Sequence, residues 1–77
     1  MTNSKFNSIL DAINEEINSG VIEFKNFGSS EYYNRVYSRI CGMIEVLQIM
    51  TGEKYYFDES GLHYADGVIV NHNDKEF

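Results

Sequence analysis

The residues best equipped for chemistry crowd into one short stretch. Tyr32, Tyr33, Arg35, Tyr37 and Arg39 bring half of the chain's six Tyr and both of its Arg within eight residues. Tyr and Arg carry most of the energy at protein interfaces, because each joins a large contact area to a directed polar group. The same types can stack a base and hold a phosphate, so a small nucleotide is the alternative ligand. A purely structural use competes with both: the rings serve as core and Arg35 pairs with Glu31 one turn earlier, a contact worth about 0.2–0.5 kcal/mol.

Other chemistry finds less support. His63, His72 and Cys41 do not fall at metal-ligand spacing, and Asp58-Glu59-Ser60-Gly61 lacks the alternating oxygen ligands of a calcium loop. Cys41 falls inside a helical pattern beside apolar positions, where a thiol ordinarily acts as a small core residue. Ser29 and Ser30 read as helix caps, and the dispersed glycines form no phosphate loop. No cofactor is expected, and the chain reads as non-enzymatic.

Composition narrows the partners further. The 77 residues include twelve Asp+Glu against six Lys+Arg, a formal net charge of −6. Negative charge disfavours duplex nucleic acid and anionic membranes. The acids are also scattered, with no run longer than Glu15-Glu16, so they suit solubility better than mimicry of a phosphate ladder. One Cys precludes an intramolecular disulfide framework. Neither a stretch apolar enough to span a bilayer nor a signal-peptide pattern is visible, and a cytoplasmic protein is expected. The richness in Ile, Asn, Phe, Tyr, Lys and Met, with two Ala and no Pro, points to an A+T-rich genome, as in many phages and low-GC bacteria.

Several elements must position these residues. Phe6, Ile9, Leu10, Ile13 and Ile17 form one narrow stripe at helical period, predicting a helix over about 4–19 that stops at Gly20. Val21 to Phe27 fits either an edge strand or a continuation of that helix through Gly20, and the extended form is expected. A second helix is predicted over about 31–51. Its apolar arc, Tyr32, Tyr33, Val36, Tyr37, Ile40, Met43, Ile44, Leu47 and Met50, covers nearly half the circumference. Gly42, Val46 and Ile49 interrupt its polar side. A mid-helix glycine costs about 1 kcal/mol relative to Ala, which the close approach of another backbone would explain, so these three residues predict a homodimer contact. Beyond Gly52, the runs 55–57, 62–64 and 68–70 alternate with turn residues and predict an antiparallel β-meander over about 54–70. Residues 1–70 then form a single α+β domain with a frayed polar tail over 71–77.

The stretch SSEYYNRVYSRICGMIEVLQIMTG, 24 residues, resembles the capped central helix of short accessory proteins encoded by tailed phages. The resemblance implies a small non-enzymatic protein that binds and inhibits a host or defence protein, with a sequestered nucleotide, a minor virion component or a DNA mimic as alternatives. It carries over no functional residue.

Overall fold

The computed structural model describes residues 4–27 and 30–75, with side chains over 4–20 and 34–75. Helix α1 (Ser4–Phe27) and helix α2 (Ser30–Thr51) run back along each other and are followed by strands β1 (Tyr55–Asp58) and β2 (Gly61–Tyr64). The fold is α+β, as the period change after Gly52 predicts.

The expected stripe of α1 makes one wall of the core. Phe6, Leu10, Ile13 and Ile17 are buried, with Ile9 at the margin, and face Val36, Ile40, Ile44 and Leu47 of α2. Each such side chain stabilises the fold by about 1.5–3 kcal/mol through water exclusion.

Helix α1 does not stop at Gly20, and the extended segment expected over 21–27 is helical. Two forces override the break. The spacing Ile17, Val21, Phe24, Phe27 keeps the helical period. Gly20 itself is a close contact between the two helices: a Cβ built there would lie 2.7 Å from Val36 Cγ1. The residue that reads as a helix stop is a contact point, where absence of a side chain admits the neighbouring helix.

Helix α2 ends as predicted. Gly52 adopts φ +74° and its amide donates to the Gln48 carbonyl at 2.8 Å, the left-handed cap that glycine adopts without steric cost. The Thr51 hydroxyl donates to the Leu47 carbonyl at 2.8 Å and accepts from the Tyr55 phenol at 2.9 Å. Gln48 Oε1 accepts the Tyr55 amide at 3.0 Å. The helix end and the first strand are thus one hydrogen-bonded unit.

The predicted three-strand meander is reduced to a two-stranded hairpin with Tyr55 opposite Tyr64 and Asp58 opposite Gly61. The run 68–70 contributes a single bridge, Ile69 to His63. It is held by the Tyr64 amide on the Val68 carbonyl (2.8 Å) and the Val70 amide on the Leu62 carbonyl (3.0 Å). Tyr55, Leu62 and Val70 complete the core. The Leu62 amide donates to Asn14 Oδ1 at 3.3 Å, tying the hairpin to α1.

The expected tail makes contacts back to the domain over 71–75, and residues 76–77 lie outside the described residues. Asn7 and Asn73 exchange two hydrogen bonds, one from the Asn73 amide at 2.7 Å and one from Asn7 Nδ2 at 3.0 Å. His72 contacts Asp11, and Lys75 bridges to Glu53 at 2.8 Å. These partners lie on the polar faces of other elements, which sequence spacing does not connect.

Candidate functional site

The Tyr/Arg cluster occupies the first half of α2, and its members divide. Tyr32 and Tyr33 lie on the helix, but their side chains fall outside the described residues. Tyr37 is 47 % exposed and packs its ring on Phe57 of β1, centroids 5.2 Å apart. It therefore seams α2 to β1 rather than filling the core. Arg35 is exposed, and Arg39, also exposed, reaches Glu16 of α1 at 3.4 Å. An ion pair this open contributes at most about 1 kcal/mol. It nonetheless steers the guanidinium along the groove between the helices.

Gly42, Val46 and Ile49 do lie on one exposed face. Val46 is 51 % and Ile49 78 % exposed, while a Cβ at Gly42 would meet nothing within 4 Å. With Arg35 and Arg39 they follow alternating spacings of four and three, the period of a helix-pairing seam. That seam lies across the helix from buried Val36, Ile40 and Leu47. Helix α2 thus has an inner apolar face that builds the domain and an outer ridge, basic at one end and aliphatic at the other. Cys41, expected beside the core, is exposed instead.

A second constellation joins residues that the spacing argument kept apart. Asp58 closes β1, Ser60 sits in the turn, and His63 is on β2. His63 Nε2 lies 3.0 Å from Asp58 Oδ1 and 3.0 Å from Ser60 Oγ. The Ser60 hydroxyl and amide both reach Asp58 Oδ1, the amide at 2.8 Å. His63 Nδ1 lies 3.1 Å from the Gly67 carbonyl. The ring stacks on Tyr56, centroids 5.1 Å apart and 14° between planes, and its side chain is only 12 % exposed.

The Ser60 donors and then His63 hold the Asp58 carboxyl down at about 2. Asp58 in turn pushes His63 upward, against a smaller opposing effect of burial and with help from the Gly67 carbonyl. Asp, His and Ser side by side suggest nucleophilic catalysis, but the connectivity differs. In a hydrolase triad the carboxylate binds one ring nitrogen and leaves the other free to take the serine proton. Here Asp58 and Ser60 share Nε2, so the nitrogen that would act as base is the one the carboxylate keeps protonated. The arrangement holds a turn and suits charge pairing better than proton abstraction. A legible signal existed: with Asp58 opposite Gly61, His63 stands on the same face of the hairpin, diagonal to the carboxylate.

No family model, curated protein or solved structure matches the chain. The site must therefore be read from its own chemistry. Among the described residues, no group of three or more His, Cys, Asp and Glu could hold a metal ion, and no helix is long and apolar enough to cross a membrane. The clefts include an open polar groove between α1 and the hairpin turn, bordered by Asn14, Asn18, Ser60 and Gly61.

Proposed function

We propose that this protein works by binding rather than by catalysis: a small acidic accessory protein, of the phage or mobile-element kind, that docks on a host or defence protein and inhibits it. The outer ridge of α2 is the docking element, and its aliphatic end joins two copies as a homodimer. The observation that carries the reading is the exposure of Val46 and Ile49, three residues apart beside the open Gly42. Adjacent aliphatic side chains facing water become stabilising when a partner covers them, at about 25 cal/mol per Å² of apolar surface removed from water. Arg35 and Arg39 at the other end supply the directed, charge-assisted contacts that fix register on an acidic partner surface.

Two variants test the two ends. Val46→Asp with Ile49→Asp should leave the far-ultraviolet circular dichroism spectrum intact and shift sedimentation from dimer to monomer. A wild-type protein that sediments as a monomer at high micromolar concentration sinks the dimer. Replacing Tyr32, Arg35 and Arg39 with Ala should abolish capture of the partner from native host extract while the melting temperature stays within a few degrees. Undiminished capture by that variant excludes the basic end as the docking surface.

A further inference from the structure

We propose that His63 is a proton-operated latch, which closes the β-hairpin onto the segment after it while the imidazole is charged and loosens that junction when the proton leaves. The geometry favours the charged ring. Both ring nitrogens face oxygen acceptors: Nε2 faces the Asp58 carboxylate at 3.0 Å, and Nδ1 faces the Gly67 carbonyl at 3.1 Å. Only an imidazolium donates from both nitrogens. Either neutral tautomer turns a lone pair onto one of those oxygens and loses that contact.

Among the described residues, these groups face the ring. From β1 come the Asp58 carboxylate and the stacked Tyr56 ring. From the turn comes the Ser60 hydroxyl. From the segment after β2 come the Gly67 carbonyl and Ile69, paired across the bridge. Asp58 is the charged group among these contacts, and it favours the cation. Ser60 gives the latch a defined second position. When Nε2 loses its proton, the hydroxyl can turn from Asp58 to donate to Nε2. The turn then persists, but the charged tie to Asp58 is gone, and the ring holds the segment after β2 through its Nδ1 contact to Gly67 without that anchor.

The junction is well placed to transmit this change. His63 spans two turns, 59–60 and 65–67, and its neighbours Tyr56, Val68 and Ile69 are among the exposed large apolar side chains. Loosening the ring therefore mobilises an apolar patch that already faces solvent, while the helical core lies on the other side of Leu62. His72, the chain's other histidine, contacts Asp11 on α1 and serves as an internal comparison.

Nuclear magnetic resonance of the intact chain tests the latch between pH 5 and 9. Ring-nitrogen shifts should report a doubly protonated His63 at pH 6.5, with a midpoint above that of an ordinary histidine. Protection factors at the Tyr64 and Val70 amides should fall about tenfold across that midpoint, while amides in the middle of α2 keep theirs. Asp58→Asn retains the acceptor for the Ser60 amide and removes the charge, so the midpoint should drop by about one unit or more. A neutral His63 at pH 6.5, unchanged protection across its titration, or a midpoint untouched by Asp58→Asn overturns the proposal. If Asp58→Asn does not fold, the wild-type titration and exchange decide the matter alone.

Discussion

The helical pair and the C-terminal segment are held by different physics. Among the described residues, eight of the eleven buried apolar side chains belong to α1 and α2, so water exclusion dominates there. Residues 52–75 supply only Tyr55, Leu62 and Val70 to that core. Their shape comes instead from directed polar contacts: the Gln48 amide side chain on Tyr55, Asp58 on Ser60 and His63, Asp66 on Val68, and Asn7 on Asn73. Apolar packing tolerates exchange of one aliphatic for another of similar volume. A directed contact is lost with one atom, or with one proton. The two halves should therefore answer to different perturbations: volume for the helices, charge and pH for the remainder.

Volume changes in the helical pair give the largest expected effects. Phe6 is fully buried, and Phe6→Ala should cost about 3–5 kcal/mol, read as a lower urea midpoint. A loss below 1 kcal/mol there would erase the contrast. Gly20→Ala comes next and has an informative sign. Alanine gains about 1 kcal/mol of helix propensity, but its methyl would enter within 2.7 Å of Val36, and overpacking costs about 1–3 kcal/mol. Net destabilisation is the expected outcome, with Gly20→Ala costing less in a Val36→Ala background than in the wild type. Stabilisation by Gly20→Ala alone would remove the close approach.

Smaller effects belong to the C-terminal half. Asn7→Ala removes both hydrogen bonds to Asn73 and should cost about 1 kcal/mol, seen as faster amide exchange at Asn73 with helical exchange unchanged. The pH response has a defined sign. His63 binds its proton more tightly folded than unfolded, so its contribution is complete below about pH 6.5 and is lost as pH rises through the elevated folded value. Asp58 is depressed from 3.8 to about 2, so its contribution is present above about pH 3.8 and is lost as pH falls through about 2. The hairpin should be most stable between these limits, as chemical denaturation at pH 3, 5 and 8 would reveal. The smallest change expected is at the outer ridge. Ile49→Asp should alter stability by no more than about 0.5 kcal/mol, since the side chain is 78 % exposed. A large loss would show that Ile49 serves the fold rather than a partner.

Much of the helical half was legible beforehand, because repetition carries the signal. Phe6, Leu10, Ile13 and Ile17 recur at one period and can bury together only on a helix. The α2 stop at Gly52 follows equally from local backbone preference. Gly20 misleads because a glycine is compatible with a helix end or with a helix contact, and its neighbours in sequence do not distinguish them. Tyr37 and Cys41 mislead for a related reason: among the described residues α2 buries Val36, Ile40, Ile44 and Leu47, with Met43 packed against them, while Tyr37, Cys41 and Met50 face outward. The polar tail reads as frayed because its partners on α1 are remote in sequence; Asn7 and Asp11 lie more than sixty residues away.

The sequence by itself determined the α+β order, the apolar stripe of α1, the end of α2 at Gly52, the turns after it and the acidic, Pro-free composition. These depend on periodicity and on backbone preferences, which act between residues a few positions apart. Tertiary structure alone decided that Gly20 sits against Val36, that the tail is stapled to α1, and that His63 is clamped between Asp58 and Gly67. Those outcomes depend on which polar and small residues face one another after collapse. The deciding quantity there is a distance of about 3 Å between groups, and chain order does not encode it.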